Sequence, residues 1–157
     1  MVSPSDWGPK AWELLHGIAE RVGNQKHITL VRDEANQLRL TLRHFSELLP
    51  CQKCQTHYRQ WLSSHSPESW IKGPTMNLQD SLREWLYKLH EDVNTRREIV
   101  SGITLESLEL KYRSVNLREC ATFLKSFYSR GVEQRVLKPL EWKTAWKHLD
   151  LLLRLLG

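Results

Sequence analysis

Residues 35–54 read ANQLRLTLRHFSELLPCQKC. Ala35, Leu38, Leu42, Phe45 and Leu49 recur at intervals of three and four, which places them on one face of a helix. Pro50 punctuates that helix, because its ring removes a backbone donor and clashes with the preceding turn. Cys51-Gln52-Lys53-Cys54 follows and opens another helical stretch over about residues 51–63. The first turn of a helix stabilises a thiolate: unpaired N–H groups and the positive end of the macrodipole point at the sulfur. C-x-x-C thiols in such settings reach pKa values near or below ~7 and exchange readily with other disulfides. By itself the pair fits a redox centre, half a zinc site, or coincidence.

The same helical period runs almost throughout. Ser5 or Asp6 is expected to cap a first helix through Trp12, Leu15, Ile18, Ala19 and Val22, stopped by Gly23-Asn24. Residues 65–77 read as a loop, with Pro67, Gly73 and Pro74. Asn77 and Asp80 form a capping pair for a helix through Leu82, Trp85, Leu86, Leu89 and Val93. A short fifth element starts near Thr104. Beyond it, Leu117, Cys120, Ala121, Leu124 and Phe127 share a face stopped by Gly131, and a last helix follows Pro139. Four striped helices with short connections predict an all-α four-helix bundle at residues 1–113, with a C-terminal helical hairpin extension at residues 114–157. Period-2 strand patterns are missing, which argues against a thioredoxin fold. No Gly-x-Gly occurs, and a Rossmann fingerprint and a P-loop are both excluded.

Composition narrows the function. The net charge of +5 is spread without a dense Lys/Arg block, so nucleic acid is not expected as a partner. The longest apolar patch, residues 149–156, is interrupted by Asp150 and Arg154, and no membrane span is expected. The opening residues lack a basic start and an apolar run, which predicts no secretory leader. Three cysteines make no disulfide scaffold, so the C-x-x-C reads as functional. Cys120, between Leu117 and Leu124, reads as a small core residue.

Several clusters accompany the cysteines. Trp12 and His16 share a helix face, as do His90 and Asn94, with Trp85 just upstream and Arg96 and Arg97 just downstream. Taken singly, Trp12 and Trp85 suit a core, and two arginines at a helix end suit its dipole. Jointly, two helices offering an aromatic and an imidazole near a redox pair and basic residues are what a bundle needs to hold an aromatic cofactor with phosphates.

The order W-G-P-x-x-W-x-x-x-H from Trp7, L-P-C-x-x-C from Leu49 and W-x-x-x-x-H-x-x-V-N from Trp85 resembles the Erv/ALR family of FAD-dependent sulfhydryl oxidases. The Trp-Gly-Pro opening is most similar to members from large DNA viruses. The resemblance implies a four-helix bundle with a short fifth helix crossing it, usually as a homodimer, and FAD as cofactor. It makes Cys51 the outer thiol that meets a dithiol protein substrate, and Cys54 the inner thiol beside the flavin. Trp12, His16, His90, Val93 and Asn94 would line the FAD pocket, with Gly8, Pro9 and Trp85 nearby. Lys10, Arg96, Arg97, Lys111 and Tyr112 would serve the phosphate and adenine end. The expected reaction turns thiols and molecular oxygen into a disulfide and hydrogen peroxide.

This chain departs from the family pattern. Glu91 stands where an asparagine is usual, no Gly-Lys follows the third motif, and a second C-x-x-C is lacking. The expected location is the cytoplasm of an infected cell, or a virion, with the mitochondrial intermembrane space as the alternative. The rival from another class is a zinc-binding helical module built on Cys51, Cys54, His57 and a distant His or Cys120. A helical binding protein with an incidental pair is a third reading. A c-type haem site is excluded, because Gln55 follows Cys54 where histidine is needed.

Overall fold

The computed structural model describes residues 2–71 and 77–157. Helix α1 spans Pro4–Ala19 and is capped by Ser3 rather than by Ser5 or Asp6. Asp6 instead completes a capping box, its carboxylate accepting the Ser3 N–H at 2.9 Å. Gly23 takes φ +84° in the turn that follows, the left-handed region open to glycine. Helix α2, Ile28–His44, ends earlier than its apolar stripe. Residues Phe45–Leu48 tighten into a 3-10 turn, and Leu49 is extended at φ −85°, ψ 118°. The reason is Pro50, which drives the residue before it out of the helical region.

Helix α3 covers Gln52–Ser64 with Cys51 as its N-cap. A short α4, Glu68–Ile71, occupies part of the expected loop, just after Pro67. Gly73 and Pro74 lie outside the described residues. Helix α5, Leu78–Arg96, starts as expected, with the Asn77 side chain accepting the Asp80 N–H at 3.1 Å. A 3-10 turn at Leu105–Ser107 leads into the short α6, Leu108–Tyr112, which lies against α1. The fold is therefore all-α, a bundle of α1, α2, α3 and α5 with the short α6, plus a helical C-terminal part.

That part comprises α7, Leu117–Lys125, α8, Tyr128–Glu133, and α9, Pro139–Leu156. Gly131 lies inside α8 and does not stop a helix. A Cβ there would run into the Leu137 side chain, so its role is close packing. Helix α7 runs along α1 and α9 along α2. Leu117, Leu124, Leu149 and Leu152 join one continuous apolar cluster with Leu14, Ile18, Leu38, Leu42, Phe45 and Leu86 of the bundle. Each such side chain contributes roughly 1.5–3 kcal/mol by leaving water. No helix among the described residues is long and apolar enough to cross a membrane.

Candidate redox site

Cys51 and Cys54 are joined by a disulfide at the start of α3. Cys51 Sγ also accepts the Cys54 N–H at 3.2 Å, so the sulfur serves as the helix cap. Gln55, the next residue, is buried, and its Nε2 donates to Leu49 O at 2.8 Å and to Val136 O at 3.0 Å. One amide thus holds the chain ahead of the cysteines and ties it to the loop between α8 and α9. Replacing Gln55 by leucine leaves both carbonyls without that donor and should destabilise the fold by about 1–3 kcal/mol. Thermal denaturation measures the loss, and an unaltered melt would mean that the amide carries no load.

Two adjoining hollows open beside the disulfide. The first is walled by Trp7, Ala11, Trp12, Phe45, Tyr58, Leu89 and Val93, and Cys54 and His57 line it too. The second, about 480 Å³, is lined by Pro9, His90, Asn94, Lys111 and Tyr112 among others. That volume falls within the roughly 300–1,000 Å³ of small-molecule sites. Gly8, Trp12, Val93 and Arg97 border both, so the hollow that Cys54 lines adjoins the one that Lys111 and Tyr112 line.

The aromatic and imidazole side chains picked out in the sequence do gather here. Trp12 stacks on His90 with ring centres 3.8 Å apart. His16 Nε2 lies 3.0 Å from His90 Nδ1, and its ring stacks on Tyr112 at 4.6 Å. His16 is itself buried behind His90 and lines neither hollow. Burial, then His90 and Lys111, push the His16 pKa down to about 3; burial, then Lys111, push that of His90 down to about 4. Both rings are neutral in the fold and accept protons more readily once unfolded, near the ordinary 6.5. Their contribution is therefore complete above about pH 6.5 and is lost as pH falls toward 4 and 3. Melting temperature should fall between pH 7 and pH 5, and less so in a His16→Asn variant (~7 and ~5 bracket the unfolded value).

Other residues of the three motifs stand elsewhere. Lys10 points outward to Glu13 at 3.0 Å, and Arg96 Nε reaches Asp92 Oδ2 at 3.3 Å. Trp85 lines neither hollow; it packs with Tyr58, Trp61 and Trp70, its Nε1 donating to His65 O at 2.6 Å. Trp7, Phe45, His57 and Tyr58 line the first hollow without having been singled out for it. Phe45 belongs to the apolar stripe of the second helix, and Trp7 opens the first of the ordered motifs. His57 follows Cys54 by three residues, the spacing of one helix face. Cys120 is buried, with Glu13 Oε2 at 3.9 Å, and burial pushes its thiol pKa up. Among the described residues, no three His, Cys, Asp or Glu side chains gather as a metal site would require.

Residues 9–112 match the Erv1/Alr family. The chain belongs to that family. Over 92 residues, 59% of the chain, it is 27% identical to the mitochondrial FAD-linked sulfhydryl oxidase erv1 of Schizosaccharomyces pombe. The match covers 46% of that protein, so the chain spans about half the length of the curated relative it matches. No solved structure matches it. The matched span runs from Pro9 of α1 to Tyr112 of α6, and so includes the disulfide and most of the lining of both hollows.

Proposed function

We propose that this chain is an FAD-dependent thiol oxidase that makes disulfides in protein substrates. The observation that carries the reading is the double setting of Cys54: it is half of a disulfide at a helix start, and it lines a hollow walled by aromatic side chains. The residues present fit a flavin nucleotide. Gly8 borders both hollows, and a Cβ at that position would meet nothing within 4 Å, so that wall keeps room for a ring. The buried Trp7 indole N–H on the first hollow has no partner among the described residues. Cationic Arg97 and Lys111 border the second, where phosphates would need charge.

Gly8, Pro9, Trp12, His90, Val93, Asn94, Arg97, Lys111 and Tyr112 would hold the cofactor, and His16 would brace His90. Lys10, Trp85 and Arg96 stand further off, occupied with Glu13, the tryptophan group and Asp92. Bound FAD would supply the acceptor for an electron pair and the reaction with oxygen that yields hydrogen peroxide. The cysteines do the rest. A substrate thiolate attacks Cys51 Sγ, the sulfur–sulfur bond breaks, and Cys54 leaves as a thiolate stabilised by the first turn of α3. The second substrate thiol resolves the mixed disulfide and releases oxidised substrate. Residues 1–113 carry this chemistry, and residues 114–157 brace it through Val136 and the α7 and α9 contacts.

We read the assembly as a homodimer, with dithiol proteins and oxygen as reactants. The Schizosaccharomyces pombe relative is a mitochondrial oxidase, in line with the intermembrane-space alternative. Oxygen uptake on adding dithiothreitol tests the proposal. The unaltered protein should consume oxygen and form peroxide, whereas Cys51→Ser should lose protein-thiol turnover while still binding FAD. Undiminished turnover in that variant contradicts Cys51 as the sulfur attacked by substrate.

A further inference from the structure

Thiol–disulfide chemistry moves protons as well as electrons, and the sulfur that passes electrons onward must first lose its proton. The fold places a proton acceptor on the same helix face as that sulfur. His57 stands three residues after Cys54 on α3, and both line the first hollow. His57 Nε2 lies 2.6 Å from Asp92 Oδ2 on α5, which fixes the ring's orientation. The charged groups around this imidazole come from two helices. From α5 there are Asp92, Arg96 bound to it at 3.3 Å, and Arg97 on the hollow's rim. From α3 there is the exposed Lys53, one turn before it. Helix α1 faces the hollow with Pro4, Trp7, Gly8 and Ala11, none of them charged. A hydrogen bond serving only to tie α3 to α5 would add little at a partly exposed site, and would have no need to share the sulfur's hollow.

We propose that His57, oriented by Asp92, takes the proton of Cys54 when the reduced pair prepares to give up its electrons. In the reduced pair the departed Cys54 thiolate takes up a proton from solvent, and the step is its removal alone: the S–H bond of Cys54 breaks, an N–H bond forms on His57, and no electron changes hands. When Cys51 and Cys54 rejoin in a disulfide, the two electrons given up by the thiol pair would go to bound FAD, the oxidant of the proposed reaction, and the Cys51 proton and the proton held by His57 would pass to the reduced cofactor and solvent. Asp92 is a positioning residue, acting through the imidazole. The inference rests on the thiol oxidase reading, but its test needs no turnover.

In a Cys51→Ser background, with the full chain as purified, the rate of Cys54 alkylation by iodoacetamide is followed against pH. Peptide mass mapping separates Cys54 from the buried Cys120. The midpoint should rise by about one pH unit or more in His57→Gln, and by less in Asp92→Asn. The helix-terminus contribution is common to all three proteins and cancels in the comparison. Superimposable profiles overturn the proposal. Should His57→Gln fail to fold, Asp92→Asn decides by itself, since the Asp92 side chain is 37% exposed and tolerates substitution. A preparation that binds no flavin sinks the proposed function, yet the alkylation profiles still read out the His57 proposal.

Discussion

Replacing Cys54 by serine should abolish thiol oxidation while leaving a folded protein that still binds FAD. Cys54 is the cysteine that lines the aromatic-walled hollow, and its neighbour Gln55 is buried and anchored, so the inner sulfur is fixed relative to that wall. A hydroxyl cannot form a disulfide with Cys51, and without that bond no electron pair can pass from substrate to the hollow. Serine is close to cysteine in volume, and the half-buried position imposes little packing cost. Turnover with a protein dithiol should fall by orders of magnitude, to the rate of free thiols reaching a flavin unaided. Oxygen uptake measures that rate, and the visible absorbance of the same sample reports the retained cofactor. A Cys54→Ser protein that still turned over a protein dithiol would remove the inner sulfur from the mechanism.

The largest expected effect on stability belongs to Arg83. Glu20, the residue that ends α1, has a side chain only 2% exposed. Arg83 on α5 grips it through two nitrogens, Nε at 2.9 Å and Nη2 at 2.6 Å. Such a fork matches a carboxylate in geometry and charge. Arg83→Met would strand a buried carboxylate, and removing one member of such a pair costs about 3–5 kcal/mol. For a chain of this size that corresponds to a fall of roughly 6–20 °C in melting temperature. The paired substitution Glu20→Met with Arg83→Met should recover much of the loss, because no unpaired charge is left inside. A loss under about 1 kcal/mol in the single variant would place this contact among ordinary surface ion pairs.

Much of the fold was legible because helices announce themselves by period. The Asn77–Asp80 cap, the stripe of α2 and the placement of Cys51 at the head of α3 all follow from local chemistry. Where the sequence misled, a second local rule competed with the period. Phe45 and Leu49 continue the apolar spacing of α2, yet Pro50 forces the extended geometry at Leu49, and the last turn tightens. Gly131 carries a helix-stopping residue type, but the close approach of Leu137 explains its lack of a side chain.

For the site, spacing placed Trp12, His16, His90 and Asn94 on helix faces, and those faces do converge. Spacing could not say how deep each side chain lies. His16 is buried behind His90, Lys10 turns outward, and Trp85 faces a different tryptophan group, although all belong to the same ordered motifs. The partnership of His57 with Asp92 joins residues 35 apart in sequence and needed the packing of α3 on α5 to appear. The same holds for the hold of Gln55 on Val136, 81 residues away.

The most direct test of the central claim is the cofactor content of the purified chain, by visible absorbance and mass spectrometry after acid release, repeated once the protein has been incubated with FAD. The account predicts a yellow protein carrying FAD in stoichiometric amount, bleached by dithiothreitol without oxygen and restored by air. A correctly folded chain that stays colourless and takes up no flavin even when it is offered in excess would contradict it.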